Sequence, residues 1–116
     1  MPTPRPPRLD AVFAALADPT RRAIVERLLA KGEQSVGDLS RPFVISAPAI
    51  SRHLRVLEQA GLIERRVERQ WRYVRVAPAA LAPMQTWLAR QQQHWNAALD
   101  RMEAVAAAET PRRKKS

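Results

Sequence analysis

Few side chains in this sequence could carry covalent or metal chemistry. Cysteine is absent, which removes thiolate nucleophiles, disulfides and thiolate zinc sites, and His53 and His94 stand 41 positions apart, too sparse for an all-protein metal cage. No nucleophile–base–orienter set, paired acids, glycine-rich phosphate loop or metal-ligand spacing is visible. The chain is therefore not read as an enzyme, and no metal or cofactor is expected. What it offers instead is arginine. Residues 46–76 hold seven arginines against three glutamates, a local +4, whereas residues 9–45 and 77–107 each balance to zero. The rest of the surplus is +2 in residues 1–8 and +3 in residues 108–116. Cations gathered in one stretch point to a polyanionic partner rather than to solubility alone.

The elements that must position these arginines fit within one domain. A chain of 116 residues supports one modest core, and with 46% hydrophobic but only 5% aromatic residues that core must be aliphatic. No apolar run approaches the ~20 residues of a membrane span and no signal-peptide pattern follows the Pro/Arg-rich start, so a cytosolic location and no membrane partner are expected. The ends, residues 1–8 and 108–116, are proline-punctuated and basic and read as disordered tails, leaving 9–107 as the folded part.

Between the tails the spacing predicts short helices, a hairpin and one long helix. Leu9, Val12, Phe13 and Leu16 follow helical spacing. Asp18-Pro19 supplies an N-cap and a first-turn proline for a second helix with Ile24, Val25, Leu28 and Leu29 inward, ended by Gly32. Val36 to Arg41 reads as a third helix, with Leu39 inward and Pro42 as its stop. Ser46 caps the next, with Pro48 in its first turn and Gly61 at its end. On it Ile50, Leu54 and Leu57 share one arc, while Pro48, Ser51, Arg52, Arg55 and Gln59 lie opposite. Ile63–Val67 and Trp71–Val76 read as a two-stranded hairpin whose turn lacks the usual glycine or asparagine. From Pro78 to residue 107, Leu81, Met84, Leu88, Gln91, Trp95, Ala98, Met102 and Val105 make a heptad seam, broadened by Trp87 and Leu99. That stripe is too wide for one small domain to cover, so pairing with a second copy is expected.

Two helices joined by a short turn, then an arginine-rich hairpin, predict a mainly α fold with a small two-stranded β-wing: a winged helix-turn-helix with a long C-terminal dimerisation helix. A helix fits the major groove of double-stranded DNA with its N-terminal residues at base edges. Small Ser46, Ala47 and Pro48 permit close approach, Ser51 and Arg52 follow within reach of bases or phosphates, and Arg55, Arg69 and Arg72 are placed to anchor the backbone.

The stretch Ser46-Ala-Pro-Ala-Ile-Ser-Arg-His-Leu-Arg-Val-Leu-Glu-Gln-Ala-Gly-Leu-Ile63 resembles the recognition-helix signature of the ArsR family of bacterial repressors. Leu16-Ala-Asp-Pro-Thr-Arg-Arg22 is similar to the start of that family's second helix. Pro42-Phe43, Gln70-Trp71-Arg72 and Trp87 with Trp95 resemble a subgroup lacking metal sites. Together the matches cover residues 9–105. The resemblance implies a homodimeric repressor on an inverted-repeat operator, with DNA contacts at Ser46, Ala47, Pro48, Ser51, Arg52 and around Arg69. It implies a dimer interface from the first and last helices, through Leu9, Val12, Phe13, Leu81, Met84, Trp87, Leu88, Trp95, Leu99 and Met102. Metal-sensing members carry Cys-Val-Cys-Asp-Leu where this chain reads Ser35-Val36-Gly37-Asp38-Leu39, so that thiolate site is missing. Trp87 and Trp95 read first as packing residues, with a small organic effector at the dimer interface as the alternative. His53 reads as a hydrogen-bonded structural residue, and Arg21 and Arg22 as fold-supporting partners of acidic neighbours. The competing function is a winged-helix protein-interaction module, which the exposed Ser51/Arg52/Arg55 face argues against.

Overall fold

The computed structural model describes residues 8–109. Of the tails expected at residues 1–8 and 108–116, residues 1–7 and 110–116 lie outside the described residues. The element order is α1 (Leu9–Leu16), α2 (Pro19–Lys31), β1 (Gln34–Ser35), α3 (Val36–Ser40), α4 (Ala47–Gln59), β2 (Ile63–Glu68), β3 (Trp71–Val76) and α5 (Ala82–Glu109). The chain divides into two units at Met84/Gln85.

In the first unit, short polar residues open α2, α3 and α4. The Asp18 carboxylate accepts from the Arg21 N–H at 3.0 Å, the Ser35 hydroxyl from Asp38 at 3.1 Å and the Ser46 hydroxyl from Ala49 at 3.3 Å. Each satisfies one of the orphan donors that a helix start exposes. Helix α4 ends in a Schellman motif. Gly61 adopts φ 79°, its N–H donates to Glu58 O at 3.0 Å, and Leu62 N–H donates to Leu57 O at 3.0 Å.

The hairpin forms as expected, and a short strand is added to it. The sheet order is β1-β3-β2, all antiparallel, with Gln34 opposite Val74 and Ile63 opposite Val76. Hydrophobic periodicity could not reveal β1, because two residues carry no period. Val12, Ala15, Ile24, Val25, Leu28, Leu39, Ile50, Leu54, Leu57, Leu62, Ile63 and Val74 form the core, with Phe43, Leu81 and Met84 packed partly against it.

Three expectations are corrected here. Val12, assigned to a dimer interface, is fully buried in its own subunit's core and has no surface to offer a partner. Leu29, expected inward, is 56% exposed, because Ile24, Val25 and Leu28 already occupy the buried arc of α2. The last helix spans Ala82–Glu109 rather than 78–107, so Ala108 and Glu109, expected in the tail, are helical, and residues 78–81 form a turn. Pro83 fits only a first helical turn, since it lacks an N–H and would clash with a preceding carbonyl.

The second unit is essentially α5, in which no residue is buried. Its seam carries large apolar groups outward, among them Leu88, Trp95 (65% exposed), Leu99, Met102 (65%) and Val105. No helix among the described residues is long and apolar enough to cross a membrane.

Candidate nucleic-acid interface

Helix α4 is held by its buried stripe of Ile50, Leu54 and Leu57, which leaves Ala47, Pro48, Ser51, Arg52 and Arg55 exposed. Ser46 is exposed too, and its hydroxyl, while accepting from Ala49, keeps its own proton to donate. His53 lies on the flank. Its Nδ1 is 3.5 Å from an Arg21 guanidinium nitrogen and 3.9 Å from the Asp18 carboxylate, which ties the recognition helix to the start of α2. Asp18 titrates below its ordinary value, chiefly because the Arg21 backbone N–H bonds its charged form, aided by the Arg21 guanidinium and His53.

Arg21 and Arg22 do something the sequence reading did not foresee. Arg21 donates from Nε to Ala15 O at 2.7 Å and from a terminal nitrogen to Ala14 O at 3.3 Å. Arg22 donates to Leu16 O at 2.8 Å and Ala17 O at 3.1 Å. These carbonyls belong to the end of α1, so two arginines of α2 satisfy acceptors that the shorter helix leaves open. Acidic partners were expected; backbone carbonyls are the main ones. The available signal was local: two arginines placed five and six residues beyond a helix end.

The wing sorts its arginines by position. Alternation puts Glu64, Arg66, Glu68, Trp71, Tyr73 and Arg75 on one face of the hairpin, with Glu64 opposite Arg75 and Arg66 opposite Tyr73. Arg75 pairs with Glu64 at 2.7 Å, and Arg66 with both Glu33 at 2.8 Å and Glu68 at 2.6 Å. The Arg66 guanidinium also sits 4.4 Å from the Tyr73 ring centroid, within cation–π range. These bonds raise the Arg66 pKa further above its normal value, and the Arg66 bond lowers that of Glu33. Arg65, on the other face, pairs with Glu58 of α4 at 3.6 Å. At the tip, Arg69 holds φ 58°, in the left-handed region that favours glycine. It is the first of two residues between the Glu68–Trp71 pair, so the missing glycine is replaced by a strained arginine.

Of the seven arginines in residues 46–76, Arg65, Arg66 and Arg75 are neutralised by carboxylates. Among the described residues, Arg52, Arg55, Arg69 and Arg72 make no ion pair, and all four are exposed. The local +4 thus resolves into two cations on the recognition helix and two at the wing tip.

A model described as a helix-turn-helix domain matches residues 16–66. The HTH-type transcriptional regulator Rv2034 of Mycobacterium tuberculosis is 46% identical over 90 residues, covering 78% of this chain and 80% of that protein. The transcriptional repressor SdpR of Bacillus subtilis is 38% identical over 80 residues, 69% of this chain and 88% of its own length. A crystal structure of an ArsR family transcriptional regulator superposes with a TM-score of 0.71 at 35% identity, covering 76% of this chain and 96% of that one. The chain belongs to the ArsR family. Within this family of DNA-binding transcriptional regulators, the winged-helix architecture of α3, α4 and the β2–β3 hairpin is accounted for. This ArsR-family chain carries serine and glycine at positions 35 and 37, and no group of three or more His, Cys, Asp or Glu that could hold a metal occurs among its described residues.

Proposed function

We propose that this ArsR-family chain is a sequence-specific repressor that binds an inverted-repeat operator as a homodimer. The observation that carries the reading is that the four arginines of residues 46–76 left exposed and without carboxylate partners are two on the recognition helix and two at the wing tip. Arg52, with Ser46, Ala47, Pro48 and Ser51, enters the major groove, and Arg55, Arg69 and Arg72 hold the phosphate backbone on either side. The exposed seam of α5 supports the homodimer, because apolar groups of that size at heptad spacing are covered by a second copy. Leu9 and Phe13 of α1 remain the candidates from the first helix. Two recognition helices on one face of the duplex require half-sites about 34 Å apart.

Fluorescence anisotropy with DNA from the chain's own promoter region, at several salt concentrations, tests the reading. Eight arginines per dimer allow a slope of log affinity against log salt of at most about −7 from these groups. Affinity without sequence preference, or binding unchanged by Arg52→Ala, overturns the specific-repressor reading. A monomer in sedimentation at micromolar concentration overturns the homodimer. Repression itself is read by transcription from an operator-bearing template, which should fall as the protein is added.

A further inference from the structure

Immediately ahead of the recognition helix, the chain leaves two aliphatic side chains exposed, Val44 entirely and Ile45 in part. Val44 is 102% exposed and Ile45 40%, whereas Phe43 beside them packs against the core. Ala47 and Pro48, the first two residues of α4, are exposed as well. Residues 42–50 contain no charged side chain, and the next cation along the helix is the unpaired Arg52. Aliphatic surface left in water gains nothing in the isolated protein, and phosphate oxygens offer it no partner. The major groove does hold one group that rewards aliphatic contact, the C5 methyl of thymine.

We infer that the leading edge of the recognition helix, formed by Val44, Ile45, Ala47 and Pro48, reads thymine methyl groups in each half-site. The inference rests on the DNA reading proposed above and adds the chemical class of base that is read. Charge complementarity favours a duplex over a protein as the occupant. The edge is followed along the same helix by Arg52 and Arg55, and a groove presents methyls on its floor between two anionic walls. A docked protein would have to cover the valine and isoleucine while supplying carboxylates for both arginines. Small side chains at 47 and 48 suit the edge, because they let the backbone come close enough for contact with a methyl. Ser51 and Arg52 then supply the polar readout beside it.

The test is a scan of a bound operator in which thymines are replaced singly by deoxyuracil, which removes the methyl and leaves every hydrogen-bonding group. Replacement at one or more positions in each half-site should weaken binding by about fourfold per methyl, the amount associated with one buried carbon group. Replacement outside the half-sites should change nothing. On the protein side, Val44→Ser and Ala47→Ser should bind the thymine operator more weakly while erasing the penalty for uracil at the position each one contacts. Val44 is fully exposed, so its substitution leaves the core intact, and circular dichroism verifies this. A specific complex indifferent to every thymine-to-uracil replacement overturns this inference and leaves the repressor reading standing. So does a uracil penalty that persists unchanged in both variants. Loss of all sequence preference, in contrast, overturns the repressor reading and this inference with it.

Discussion

Arg69 carries two opposing demands at a single residue. Its φ of 58° is costly for a side chain bearing a Cβ, yet its position at the tip of the hairpin exposes a cation with no carboxylate partner. Arg69→Gly should therefore stabilise the fold by about 0.5–1 kcal/mol in urea unfolding, with the added chain entropy of glycine offsetting part of the relieved strain. The same change should weaken DNA binding and lower the salt slope by about 1 per subunit. A second prediction at this scale concerns acid. Asp18 is held below its ordinary pKa by the Arg21 N–H, and Glu33 below its own by Arg66. A carboxyl lowered in the folded state stabilises the fold above its unfolded pKa, and that contribution is lost as pH falls through the folded value. The melting temperature should thus fall as pH drops from about 5 through the carboxylate range, and Asp18→Asn should flatten this acid limb. Thermal denaturation across that range reads both.

At the scale of the element, α4 is bounded by chemistry visible in the sequence. Ser46, Pro48 and Gly61 mark its ends, and the Ile50/Leu54/Leu57 stripe fixes which face is left exposed. Gly61→Ala should destabilise the protein by at least about 1 kcal/mol, since φ 79° and the two Schellman bonds depend on the absence of a Cβ. Arg52→Ala and Arg55→Ala should separate by kind. The first should relax preference at one base position, and the second should weaken all sequences about equally, as measured by competition with mutated operators. Non-local relations were less legible. The pairing of Arg66 with Glu33, on the approach to β1, depends on how β1 joins the sheet. The anchoring of Arg21 and Arg22 on α1 depends on the angle between two helices. Periodicity carries neither kind of information. The expectation that Val12 lies at an interface failed for a related reason: a helical stripe shows which residues are apolar, not whether core or partner covers each one.

For the molecule as a whole, stability and assembly should come apart. Trp95→Glu places a charge on the exposed seam of α5, where no residue is buried, so it should yield a monomer with nearly unchanged core unfolding. Sedimentation and urea denaturation test the two halves of that statement, and operator affinity should fall steeply because a single half-site remains. Net charge also divides along the molecule. Of the +9, only +4 lies in residues 46–76, and the two tails carry +5. Removing residues 1–7 and 110–116 should flatten the salt dependence without altering the preferred sequence. The separation of anchoring from unpaired arginines within the wing has a consequence for engineering. Arg65 and Arg66 fasten the hairpin to the body through Glu58 and Glu33, and Arg75 clasps its two strands through Glu64, while Arg69 sits in the two-residue turn beyond them and Arg72 close by at the start of β3. That tip is a cassette: residues 69–72, the turn and the first pair of β3 residues, can be exchanged for those of a relative, transplanting its contacts while the clasp that seats the wing stays in place.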